Sequence, residues 1–120
     1  MIFLFMLIVS ILLFLPQDAR ADVIPERRVI HFTRAAVRDR YRFHLYFQCT
    51  GADREVKGIS VSGINGNGAS ISHSVHHGTN GMGKYLELIP MGGPGTVSMT
   101  VTATGDSGRS NRTVIKIIVE

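Results

Sequence analysis

A strict alternation of apolar and polar residues constrains this chain more than any other feature. Tyr41, Phe43, Leu45, Phe47 and Cys49 alternate with Arg42, His44, Tyr46 and Gln48. Val97, Met99, Val101 and Ala103 alternate in the same way with Ser98, Thr100, Thr102 and Thr104. Successive side chains of a strand point to opposite faces, so a period of two marks a strand with one buried and one solvated face. The Thr-rich outer face fits that reading, because β-branched residues suit a pleated surface. Residues 113–119 are β-branched at nearly every position and predict a strand covered on both faces. Weaker strand candidates span 28–33, 56–62, 69–75 and 84–89.

Turn signals separate these runs. Asn65-Gly66 and Asn67-Gly68 stand back to back and predict a hairpin loop, since Asn-Gly suits turns with positive φ. Residues 91–95 and 105–108, both glycine-rich, separate the later strands. No helical period is visible anywhere. Short strands at this spacing predict an all-β chain, an antiparallel sandwich or small barrel. Phe43, Leu45, Phe47, Cys49, Val61, Leu88, Val97, Met99, Val101 and Ile117 are the expected core.

The chain opens on an almost wholly apolar run, residues 1–15, closed by Pro16 and followed by Ala19-Arg20-Ala21. An apolar stretch ending in a small-x-small triplet reads as a signal peptide, residues 1–21, cut before Asp22. A single domain, 22–120, would then act outside the cytosol, secreted or periplasmic. No Lys or Arg precedes Arg20, so the alternative is a membrane anchor formed by residues 1–15. A helix of that length rises about 22 Å, short of a hydrocarbon core of roughly 30 Å. The single cysteine, Cys49, excludes an internal disulfide. Stability must come from packing and strand pairing, with Cys49 expected as a small buried apolar residue and an intermolecular disulfide or reactive thiol as the alternatives.

Chemistry-bearing residues are few. Arg27, Arg28, Arg34, Arg38, Arg40 and Arg42 lie within sixteen residues and supply nearly all of the net charge of +4. If one strand begins early enough, Arg38, Arg40, Arg42 and His44 share a face, about 6.6 Å apart. Guanidinium groups at such spacing, with Arg34 beside them, suit an anion: an acidic glycan, a lipid headgroup or an acidic protein surface. Charge on an outer face also keeps sheet edges from pairing, which is the plainer reading. Nucleic acid is a poor candidate after export. A membrane partner follows only if the N-terminal segment is retained.

His73, His76 and His77 catch attention as possible ligands. In a regular strand His73 and His77 sit about 13 Å apart, too far for one ion, and zinc takes three or four ligands. No metal site and no cofactor are expected. The acids, Asp53, Glu55, Glu87 and Asp106 among them, are scattered, and no catalytic set is recognisable. Asn111-Arg112-Thr113 fits the glycosylation sequon, but no glycan is expected.

Leu86-Glu87-Leu88-Ile89-Pro90, followed by the segment 95–108 with its Val/Thr strand and Gly105-Asp106-Ser107-Gly108 turn, resembles the last strands of bacterial immunoglobulin-like domains. The likeness covers about the final third of the chain. It implies an antiparallel Ig-like β-sandwich of about seven strands, a size that roughly 100 residues accommodate. The Trp and paired cysteines of antibody-type domains are absent, so that subclass does not follow. The resemblance brings no catalytic residues. It implies an exported, non-catalytic binding, adhesion or surface-assembly module, using Arg34, Arg38, Arg40, Arg42 and His44, or loop contacts at Asn65, Asn67, Gly92 and Gly93. A small secreted Ig-like protease inhibitor is the alternative, and a histidine-based metalloenzyme a distant third.

Overall fold

The computed structural model describes residues 22–51, 53–78 and 83–120. The expected signal segment, 1–21, lies outside the described residues. The rest is almost all strand: β1 (Asp22–Pro25), β2 (Val29–Phe32), β3 (Phe43–Leu45), β4 (Phe47–Thr50), β5 (Val56–Asn67), β6 (Ser70–His77), β7 (Lys84–Gly92), β8 (Gly95–Gly105) and β9 (Ser110–Val119). One short helix, α1 (Arg34–Arg38), joins β2 to β3.

The strands form a four-stranded sheet in the order β2-β9-β8-β5, a three-stranded sheet β3-β7-β6 and a pair β1-β4. Pairing is antiparallel except between β2 and β9. The two larger sheets bury their apolar sides in one cluster. Ile30, Val97, Met99, Val101, Ile115, Ile117 and Val119 come from the four-stranded sheet, and Leu45, Leu86 and Leu88 from the other. Phe32 meets Phe43 edge-on at 5.9 Å within it. Each such side chain contributes about 1.5–3 kcal/mol through burial. A smaller cluster, Val23, Val56 and Ala103, lies at the far end of β8.

Several expectations change on contact with the fold. The run 41–49 is not one strand. It breaks at Tyr46, whose carbonyl accepts from the Glu26 N–H at 3.0 Å. Before the break β3 pairs with β7, and after it β4 pairs with β1. Phe43, Phe47 and Cys49, on either side of the break, are half-buried, as is Val61 on β5, while Leu45, Leu88, Val97, Met99, Val101 and Ile117 are fully buried. Residues 113–119 are covered on one face only: Ile115, Ile117 and Val119 point inward, whereas Val114 is 61% exposed.

The Asn-Gly pairs are not a hairpin loop. Asn65, Gly66 and Asn67 continue β5 beyond an irregularity at Ser62/Asn65 and pair with Ser98, Val97 and Thr96. The actual turn, Gly68-Ala69, carries the chain from one sheet to the other. Gly92 likewise belongs to β7, opposite Ser70, so only Gly93 and Pro94 separate β7 from β8. These two crossovers pack backbone against backbone. A Cβ on Gly68 would sit 2.6 Å from the Pro94 carbonyl oxygen, and one on Gly95 would sit 2.7 Å from the Gly68 carbonyl carbon. Glycine at both positions lets the corners close.

Candidate functional site

The arginines gather at a corner rather than along a strand. Thr33 caps α1, its hydroxyl accepting from the Ala36 N–H at 3.2 Å, and Ala and Arg are good helix formers. The helix closes with bonds from Tyr41 N–H to Ala36 O (2.9 Å) and Arg40 N–H to Val37 O (3.3 Å). That double closure requires a left-handed residue, usually Gly. Here it is Arg40, at φ 53°. The Arg40 guanidinium donates to the Met91 carbonyl at 2.7 Å and ties the corner to β7.

The expected guanidinium ladder therefore does not form. Arg34 and Arg38 lie on α1, Arg40 in the turn and Arg42 before β3, and only His44 is in a strand. A five-residue helix is too short to show a period in sequence. All six arginines from Arg27 to Arg42 are exposed. Among the described residues only Arg38 of the six meets a carboxylate, Asp39, at 3.2 Å. Beside them opens a groove of about 540 Å³ lined by Phe32, Phe43, Tyr41, Ala36, Thr33, Arg27 and Asp39, among others. The Arg27 guanidinium stands 6.0 Å from the Phe43 ring centroid, within reach of a cation–π contact. The groove thus combines aromatic lining with one guanidinium, Arg27, and one carboxylate, Asp39, and the other arginines stand outside it.

His44 belongs to a different cluster, on the outer face of β3-β7-β6. Its register partner Glu87 is only 7% exposed. The His44 Nε2 is 3.1 Å from Glu87 Oε2, and the His76 Nε2 is 3.7 Å from Oε1. Tyr85 stacks on His76 and lies 4.8 Å from His44 and 5.2 Å from Tyr46, centroid to centroid. Ser74 Oγ reaches His76 Nε2 at 2.9 Å. The same nitrogen faces both the hydroxyl and the carboxylate, whereas a nucleophile–base–acid relay needs them on opposite ring nitrogens. Among the described residues no group of three or more His, Cys, Asp or Glu could hold a metal ion. The histidines of β6 separate: His76 joins the cluster, and His73 and His77 stay exposed.

Asn65 and Asn67 line a small groove of about 260 Å³ on the outer face of β5-β8-β9, with Thr96, Ser98, Val114 and Lys116. Gly92 and Gly93 serve the crossover, where a Cβ on Gly93 would meet the Val119 side chain.

A third constellation was invisible in sequence. Asp53 and Asp106, distant along the chain, bridge the 53–55 loop and the β8–β9 turn. Asp53 Oδ1 accepts the Ser107 N–H at 2.8 Å, and Asp106 Oδ1 accepts the Arg54 N–H at 2.9 Å. The bond from Arg54 holds the Asp106 carboxyl below the ordinary range for an aspartate. Burial, and then the charges of Asp53, Asp106 and Glu55, push the Cys49 thiol up. No signal short of the fold itself could have paired these acids.

No protein-family model, curated protein or solved structure matches this chain. The chemistry of these surfaces is therefore the guide to function.

Proposed function

We propose that this chain is an exported, non-catalytic binding module on an immunoglobulin-like β-sandwich, recognising an acidic partner surface through the corner around α1. The strand connectivity supports the sandwich. The three sheets, β1-β4, β3-β7-β6 and β2-β9-β8-β5, are compatible with an Ig-type layering in which the β1-β4 pair extends the β3-β7-β6 layer. The observation that carries the function is the groove beside α1. It offers apolar contact and the Arg27 guanidinium, with exposed Arg28, Arg34, Arg40 and Arg42 nearby in sequence and only Arg38 paired with a carboxylate, which suits an acidic protein segment or an acidic glycan or lipid headgroup.

The test compares two charge reversals of equal size. Arg34, Arg38 and Arg42 are changed to Glu in one variant, and Lys57, Arg112 and Lys116 in the other. Retention on a heparin matrix is measured at about 0.15 M salt. The corner variant should lose retention while the control keeps most of it. Equal loss in both would reduce the effect to net charge and remove the corner as a site.

A further inference from the structure

We propose that β6 is the seam of a two-fold homodimer, pairing antiparallel with β6 of a second copy so that two three-stranded sheets become one of six strands. Among the described residues β6 is bonded to β7 on one side and no strand lies beyond it. It is eight residues long, and its pairing with β7 is regular from Ile71 to His77. An open strand presents a row of backbone N–H and C=O groups, and proteins usually blunt such an edge with charge, proline or a bulge. From Ile71 onward β6 has none of these. Between Gly58 and Gly83 the sequence contains no Asp, Glu, Lys or Arg, in a chain with 13 basic and 9 acidic residues. The same segment holds two exposed apolar side chains, Ile64 at 47% and Val75 at 40%.

The other edges are short or interrupted. β5 shifts register between Ser62 and Asn65, around Gly63 at φ 58°. β1, β2 and β4 have four residues each and β3 has three. With one long regular edge per chain, association closes at two copies rather than running on as a filament. Charge selects a second copy as the occupant. The chain carries +4, so two copies repel wherever their cations meet, and like charges directly opposite destabilise a strand pair. At β6 that cost is absent, and nothing there attracts an acidic or basic strand in preference. Side-chain size fits too. A two-fold axis through Ser74 sets Ser72 opposite His76 and His73 opposite Val75 across the seam, so no imidazole directly faces another. The α1 corner lies between β2 and β3, at the far edges of their sheets, so the dimer leaves both corners free and does not depend on what they bind.

The test joins sedimentation of the full chain to oxidative cross-linking. The native chain should dimerise reversibly between about 10 and 500 μM, as a small transient interface does. Ser74→Lys sets two ammonium groups face to face and should raise the dissociation constant at least about tenfold. Ser110→Lys, equally exposed but on β9, should leave it unchanged. Ser74→Cys should oxidise rapidly to a symmetric disulfide, because opposed Cα atoms of an antiparallel pair stand about 4.5–5.5 Å apart, within disulfide reach. Ser110→Cys and the native chain, whose one cysteine is the half-buried Cys49, should cross-link far more slowly. Circular dichroism confirms that each variant keeps its strands. A chain that stays monomeric throughout would hand the edge to a foreign strand and overturn the dimer. A dimer that Ser74→Lys leaves intact would place the contact elsewhere and overturn it equally, as would Ser74→Cys cross-linking no faster than Ser110→Cys.

Discussion

Arg40 shows how one residue can be placed against its own preference. A side chain at φ 53° costs about 1 kcal/mol relative to Gly, offset here by the bond to the Met91 carbonyl. Arg40→Ala keeps the strain and loses the bond, so Arg40→Gly should be the more stable of the two variants by about 1 kcal/mol in urea unfolding. Gly105 is the reverse case, required by its neighbour. Gly105→Ala should destabilise by about 1–3 kcal/mol, because the buried Asp53 carboxylate must move. Cys49 is half-buried with acids nearby that disfavour its thiolate. It should react with iodoacetamide more slowly at pH 8 than free cysteine does, and equal rates would contradict that environment. The alternation made Leu45, Leu88 and Met99 legible as core. It could not separate them from Phe43 or Cys49, whose burial depends on which partner strand covers each end.

Among the elements, the strands were readable and their ends were not. The period of two identifies β8 at once, since nothing but a half-covered strand repeats Val-x-Met-x-Val-x-Ala. The Asn-Gly pairs misled because turn residues also tolerate the irregularity that lets β5 extend to Asn67. The helix α1 escaped notice because it is little more than one turn, held by its cap and its closure rather than by an apolar stripe. Thr33→Ala should cost about 1 kcal/mol, read by thermal or chemical unfolding. The crossovers at Gly68 and Gly95 are more sensitive. Gly95→Ala should be the more damaging change, because the added methyl meets backbone that no side-chain rotation can clear.

For the whole molecule, the contact between the two loops at Asp106 adds an acid-sensitive contribution to stability. Asp106 titrates lower in the folded state than its ordinary value of about 3.9. Its contribution is therefore present above that value and lost as pH falls through the folded one. Unfolding free energy should fall more steeply below about pH 4 in the native protein than in Asp106→Asn. Parallel curves would show that the Arg54 bond contributes nothing. At the alkaline end the sign reverses. The hydrogen bond and charge of Glu55 raise Lys57, so its small contribution disappears only as pH climbs past the ordinary lysine range. The order of residues was enough to dictate strands, an absence of internal cross-links and a concentration of arginines, because alternation, cysteine count and charge are properties of neighbours along the chain. Which arginine lines a groove, which histidines meet Glu87 and which loops Asp53 and Asp106 join depended on strand partners far apart in sequence. Those contacts arise when the sheets close over their shared core, and no local pattern encodes them.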